Sequence, residues 1–296
     1  MAAVNAIPPS VRTIRDERRR VAIVALTYVA LLITGVVFSI PFLWTVSSSL
    51  KTPQEMHVFP PQLLPEIPQW SNYAKVWTTQ PVARWIANSL LIILLSVPGA
   101  ITTGSLTAYA FARFDFPGRS FLFMLLLSTL MLPFEVTLIP QYLLFYQLKW
   151  IDTFLPLTVP AWFGGGAMTV FLLRQFFLTI PKDLDEAARV DGASSFRILW
   201  SIILPLARPA LTTVTILQFL GHWNDFLGPF IYLNDKDLFT ISIGLRYFQQ
   251  VPETLGEPKE HLLMVTTVIM TIPAIVIFFA AQRYFVRGIV MTGLKL

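Results

Sequence analysis

Residues 186 to 205 read EAARVDGASSFRILWSIILP, a run that opens on charge and closes on an apolar segment ending in proline. The chemistry these residue types offer is recognition, not catalysis. Glu186 presents a carboxylate to a basic partner or a helix terminus. Ala187 and Ala188 let another backbone approach closely, and Asp185 and Arg189 flank them with opposite charge. Pro181, followed by Asp183, Asp185 and Glu186, marks a helix N-terminus, because proline fixes φ and acids favour the positive end of the macrodipole. Gly192 supplies a turn that a side chain would obstruct. Ser194 or Ser195 then caps a second helix, with Phe196, Leu199, Trp200 and Ile203 at amphipathic spacing. The pattern predicts a helix, a glycine turn and a second helix at a membrane surface; a helix resting on lipid is the other reading of the same residues.

A second polar group lies in a strongly apolar setting. His222, Trp223, Asn224 and Asp225 are consecutive, and Glu135 and Gln141 sit beside Pro133 and Pro140. Ionisable groups at membrane depth face a cavity or a partner. Amides and carboxylates suit sugar hydroxyls, and an aromatic face suits a pyranose ring, so Trp223, Asn224, Asp225, Glu135 and Gln141 are candidates for a translocation path. Asn224 and Asp225 could equally bond neighbouring helices or the backbone near Gly228-Pro229, and Glu135 could reach outer water.

Catalytic patterns do not appear. The three histidines, His57, His222 and His261, are far apart, with no H-E-x-x-H or G-x-S-x-G motif. No G-x-x-x-x-G-K-[ST] phosphate loop occurs, so any ATP-driven motor belongs to another chain. The Gly164-Gly165-Gly166 cluster suits close helix packing instead. With no cysteine, disulfides and thiolate chemistry are excluded.

The elements that must position these groups are membrane spans. The 296 residues are 55% hydrophobic and 13% charged, with a mean hydropathy of +0.64, too apolar for one soluble core. Runs of roughly 20 apolar residues predict six helices, at about 21–45, 85–111, 120–146, 154–177, 201–232 and 261–285. The fifth carries Pro205 and Pro209 near its start and Gly228-Pro229 near its end, which predict kinks or breaks. With the N-terminus inside, 15 of the 22 Lys and Arg fall on the inner side, which puts both termini and the 181–205 loop in the cytoplasm. The net charge of +5 thus reads as topology and not as nucleic-acid binding. The first apolar run is too long for a signal peptide and reads as a retained span. Residues 1–20 form a basic tail and 21–296 a single membrane domain. Outside, a Pro-rich segment with Trp70, Tyr73 and Trp77 suits a cap at the water-bilayer boundary, and the loop at 234–260, with Asp235, Asp237, Glu253, Glu257 and Glu260, could meet a partner.

The spacing EAA, three residues, Gly192, nine residues, Ile202-x-Leu204-Pro205 resembles the EAA motif of permease subunits in binding-protein-dependent ABC transporters, and matches it at every defining position. The segments LPFEVTLIPQYLL, WNDFLGPFIYL and QRYFVRGIVMTGLKL resemble the smaller permease of carbohydrate systems, the maltose-permease-like branch. The resemblance implies an all-α polytopic protein with the type I importer fold and no cofactor of its own. It implies a heterodimer with a second permease, two ATP-binding subunits that handle ATP and Mg, and an extracytoplasmic solute-binding protein delivering a sugar. Glu186, Ala187, Ala188, Gly192, Asp185 and Arg189 would then form the coupling surface. Import of glycerol 3-phosphate by the same machinery is the runner-up; an anionic cargo favours a mid-membrane Arg or Lys, and no span shows a clear one. A self-sufficient secondary transporter would leave the coupling loop unexplained and would show repeated halves.

Overall fold

The computed structural model describes residues 14–249 and 259–293, which form helices and no strands. The basic tail around Arg12, the outer-loop acids Glu253 and Glu257, and the last residues with Lys295 lie outside the described residues.

α1, Ile14–Ser49, is a long helix whose apolar stretch is not buried by the rest of the chain. α2, Asn72–Thr79, precedes α3, Val82–Arg113, the central helix. α4, Arg119–Ser128, and α5, Phe134–Gln147, meet at a 98° bend. The sequence predicts one span here, at about 120–146. Pro133 overrides it by forcing Leu132 to an extended ψ of 115°, which no helix can continue through. α6, Leu155–Thr158, leads through a tight turn and the three glycines into α7, Ala167–Thr179. α8, Asp183–Val190, is the short charged helix.

Next come α9, Ser195–Ile198, a π-helical turn at Leu199–Ile203, and α10, Leu204–Leu206. Leu204 N–H bonds Leu199 O, one residue further back than in an α-helix, and this wider turn immediately precedes Pro205, whose ring would crowd a regular ladder. α11, Arg208–Asn224, then departs at 81°. Pro205 and Pro209 are four residues apart, so the Pro209 ring meets the Pro205 carbonyl, and the chain bends. α12, Leu227–Tyr232, α13, Ile241–Gln249, and α14, Glu260–Gly293, complete the chain. Among the described residues, four helical segments are long and apolar enough to cross a membrane, and six when each bent pair counts as one span.

Between helices in lipid the hydrophobic effect contributes little, so close approach and polar ties must hold the bundle. α3 supplies the approach. Its Gly99 lies under the Trp162 indole, 2.6 Å from where a Cβ would sit, and its Gly104 under Thr169. Polar ties follow: Ser96 Oγ donates to Leu157 O at 3.1 Å, Gln218 Nε2 to Thr169 Oγ1 at 2.7 Å, and Ser89 Oγ accepts from Ile241 N at 3.0 Å. One buried cluster joins Ala108, Tyr109 and Ala112 of α3 to Val170, Leu173 and Phe177 of α7 and to Ile198, Leu199 and Ile203 beyond α8.

At the far end of α3 from α8, the segment between α1 and α2 is folded on itself. Lys51 is fully buried, donates from Nζ to Gln62 O at 2.6 Å and lies 4.2 Å from the Trp44 ring centre. Asn72 Nδ2 donates to Ser49 O and Lys51 O, so α2 is pinned to the end of α1. Trp70 and Trp77 stay exposed.

Candidate functional site

α8 carries the first site. Three acids in its first turn and Arg189 in its last complement the helix dipole. Gly192, at φ +80°, closes it: Gly192 N donates to Arg189 O at 3.0 Å and Ala193 N to Ala188 O at 2.9 Å, the paired bonds of a Schellman cap. Ser194 Oγ then accepts from Arg197 N at 3.3 Å and starts α9. Nothing lies within 4 Å of a Cβ placed on Gly192, so its backbone angle and not its size is what the turn requires.

A helix of eight residues has an inner and an outer face. Glu186, Ala187 and Arg189 are exposed, as are Leu184 and Val190. Asp185 and Ala188, three residues apart, point inward and are buried. The sequence expectation that Asp185 and Ala188 belong to a partner-facing surface therefore differs from the structure, which directs them to the body of the bundle. Ala188 joins the cluster containing Tyr109 and Ala112. Asp185 Oδ2 lies 2.9 Å from Arg113 Nε at the end of α3, with both side chains at 5% exposure or less. Beyond the turn, Phe196 and Trp200 stack with ring centres 6.3 Å apart on the exposed side, while Leu199 and Ile203 fill the core.

The second site lies toward the opposite end of α11. A cavity of about 600 Å³ is lined by α5, α6, α11 and α12 residues, among them Gln141, His222, Asp225 and Tyr232, with Phe134, Phe145, Trp150 and Phe163 as aromatic walls. Tyr232 faces Phe145 edge-on at 5.3 Å and stacks on Tyr142 at 6.4 Å. Asp225 Oδ1 accepts from Gly228 N at 3.2 Å, fixing the carboxylate across the break between α11 and α12. Few polar groups converge in an otherwise apolar cleft, the usual make-up of a small-molecule site.

The candidate path residues separate. Gln141 and Asp225 share the cavity. Trp223 does not line it: it is 1% exposed, stacks on Phe219 and donates from Nε1 to Met270 O at 3.0 Å, so it ties α11 to α14. Asn224 bonds back to Leu220 O in its own helix and faces an adjoining cleft with Gln218 and Asp225. Glu135 is exposed in the first turn of α5. The aromatic walls were not singled out from the sequence: only Phe134 falls within the segment at 132–144, and Phe145, Trp150 and Phe163 lie outside the segments singled out there.

Arg246 was also missed. It belongs to α13, a segment read from sequence as outer loop, and its guanidinium stands 4.7 Å from the Phe230 ring centre and 5.5 Å from Phe226. It lines a further cleft with Phe226, Ser242 and Leu245, and Phe226 also borders the cleft holding His222, Asn224 and Asp225.

A family model described as binding-protein-dependent transport system inner membrane component matches residues 78–291. The sn-glycerol-3-phosphate transport system permease protein of Agrobacterium fabrum is 35% identical over 283 residues, which cover 93% of this chain and 99% of its own. The arabinooligosaccharides transport system permease protein of Halalkalibacterium halodurans is 36% identical over 214 residues, 71% of this chain and 74% of its own. A chain from the crystal structure of a bacterial ABC transporter involved in the import of the acidic polysaccharide alginate matches with a TM-score of 0.79 and 24% identity over 94% of this chain and all of that one, a likeness of fold.

Proposed function

The chain belongs to the inner membrane components of binding-protein-dependent transport systems, a multi-pass transport subunit rather than an enzyme, and from that membership we propose that it forms half of an ATP-driven sugar importer in a prokaryotic cytoplasmic membrane. A second permease completes the pathway, two separate subunits bind ATP and Mg, and an extracytoplasmic protein delivers the cargo. Residues 21–296 are the permease domain, the 181–205 loop and both termini face the cytoplasm, and of residues 1–20, expected as a tail, 14–20 already belong to α1.

The observation that carries this reading is the two-faced geometry of α8. Glu186, Ala187 and Arg189 are presented outward on a helix whose inner face is fixed to α3. An ATPase that grips the outer face and closes with its twin moves α8, and the rigid cluster behind it passes that movement to α3, α7 and the turn entering α11. The aromatic cleft at the far end of α11 then opens to alternate sides. Inside it, Gln141, His222 and Asp225 offer donors and acceptors to hydroxyls while ring faces cover the apolar side of a sugar.

A second cargo reading rests on Arg246. A cation held over Phe226 and Phe230 beside the polar cleft suits an anionic group, in line with the glycerol-3-phosphate relatives. The test is purification in mild detergent with identification of the chains that remain bound, followed by uptake of labelled arabinooligosaccharide and sn-glycerol 3-phosphate into vesicles containing ATP. Recovery of this chain alone, moving solute without ATP, overturns the proposal.

A further inference from the structure

We propose that Arg113 is a positioning residue for transport: with Asp185 it forms a buried strut that makes α8 and the end of α3 move as one body. This rests on the reading of α8 as the helix gripped by the ATPase.

α8 meets the bundle through a small set of contacts. Its flanks are a linker after α7 and the glycine turn at Gly192, and its inward side chains are Asp185 and Ala188. Ala188 offers a methyl group only. Arg113, the last residue of α3, supplies the remaining hold. Its Nε lies 2.9 Å from Asp185 Oδ2, and its second arm, Nη2, donates to Ile180 O at 2.9 Å in the linker. One guanidinium thus reaches both the helix, through its ion pair with Asp185, and the point of entry, through the hydrogen bond from Nη2. The side chains are 2% and 5% exposed, and Arg113 Nε and Asp185 Oδ1 are both buried with no hydrogen-bond partner among the described residues. Each charge therefore has the other as its main compensation, and in a medium of low polarity separating them is steeply unfavourable. A link of that kind yields little when α8 is pulled.

The alternative is that the pair merely stabilises the fold. The two roles part when the charges are replaced together by apolar groups of similar size, since such replacement often leaves stability unchanged or raised. Arg113→Met with Asp185→Leu, assembled with the partner permease, ATPases and binding protein, should be recovered in normal amount and still hydrolyse ATP. The solute moved per ATP should fall about tenfold, the scale of an ordinary coupling free energy between sites. An unchanged ratio overturns the strut. Glu186→Lys, on the exposed face, separates the two readings: if it too leaves the ratio unchanged, the assignment of α8 as the coupling helix falls with it.

A measurement on the unaltered pair guards against a variant that fails to assemble. The natural chain has no cysteine, so spin labels can be placed at Cys substitutions of two exposed residues outside the coupling surface, Asp183 at the start of α8 and Asp115 just past α3. The distance between them should be the same in the ATP-free and ATP-trapped complex. A change of more than the width of the distribution shows that α8 swings relative to α3 and overturns the proposal.

Discussion

Gly165 rests directly on the backbone of Ala100: a Cβ on Gly165 would stand 2.2 Å from the Ala100 carbonyl oxygen and 2.8 Å from Gly104 Cα. Its φ of +69° is also one that L side chains avoid. Its neighbour Gly164 has φ +88° but open space around it. The pair gives a controlled comparison. Gly164→Ala should cost about 1–2 kcal/mol for the left-handed backbone alone. Gly165→Ala should cost that plus about 1–3 kcal/mol of overpacking, because the atoms in the way are backbone and cannot rotate aside. Thermal unfolding of the two variants in the same detergent checks the order; equal midpoints would show that the close approach to α3 contributes nothing.

The folded segment between α1 and α2 should be acid-labile. Glu55 accepts from Thr52 N at 2.7 Å, from Glu66 N at 2.9 Å and from Thr52 Oγ1 at 3.0 Å. The Thr52 amide foremost, then the Glu66 amide, the Thr52 hydroxyl and the Lys51 charge, hold its carboxyl below the usual carboxylate range against the opposing effect of burial. A group with a depressed folded pKa stabilises the fold above its unfolded pKa and loses that contribution as pH falls through the folded value. The protection of the Thr52 and Glu66 amides, the factor by which their exchange is slowed relative to an unfolded chain at the same pH, should accordingly be high at neutral pH and fall below the ordinary range for glutamate. In Glu55→Gln protection should be lower at neutral pH and lack that acid step. Protection in the natural chain that shows no acid step would remove the assigned role of the carboxylate.

At Gly192 the requirement is a backbone angle. Asn enters the left-handed region more readily than other side chains, so Gly192→Asn should retain most transport, and Gly192→Val should lose it because a β-branched residue resists φ of +80°. The surroundings are open, so size is not the variable. Uptake assays at matched membrane levels decide, and equal activity of Asn and Val would show that the turn is not needed.

The helix-turn-helix and most spans could be read from local patterns because their determinants are local: proline spacing at Pro205 and Pro209, the glycine after α8, and runs of apolar length. The bend at Pro133 escaped because a proline within an apolar run is compatible with a tolerated kink, as Pro140 inside α5 shows, and only tertiary packing decides how far the chain turns. Asp185 was assigned to the outer face because neighbouring charges read alike in sequence. The i, i+3 relation of Asp185 to Ala188 marks an inner face once the helix is known to be anchored, but its partner Arg113 lies at the end of another helix. Trp223 and Arg246 show the same limit in opposite directions. Trp223 looked available and is consumed by packing against α14, whereas Arg246 looked remote and is brought to the cleft by α13.

Asp225 separates a structural from a cargo-contacting role. Its Oδ1 accepts the Gly228 amide, and it lines the cavity with His222 and Gln141. Asp225→Asn keeps an acceptor for that amide and removes the charge. If the carboxylate serves only the α11–α12 junction, uptake should be unaltered. The cavity reading expects half-saturating solute concentration to rise by roughly tenfold, about 1.4 kcal/mol, with assembly unchanged. Gln141→Ala, across the cavity, should act in the same direction, and a normal value in both variants would place the path elsewhere.

Replacing Arg246 tests the class of cargo. Its guanidinium lies against Phe226 and Phe230, and among the described residues no ion pair is formed with it, so its charge remains available to whatever enters the cleft. A phosphate or carboxylate would gain a charge-assisted bond of about 1.5–3 kcal/mol; a neutral sugar would gain an ordinary hydrogen bond of about 1 kcal/mol. Arg246→Gln retains an amide donor and loses the charge. For an anionic cargo such as sn-glycerol 3-phosphate, uptake at low concentration should fall by about tenfold or more, and the loss should shrink as salt screens the natural site. For a neutral arabinooligosaccharide the same variant should stay within about threefold of the natural chain, the size of a weakened neutral contact. Measuring both solutes in one vesicle preparation gives the answer directly, because a defect confined to the anion assigns Arg246 to cargo selection, and an equal defect in both assigns it to holding α13 against α12.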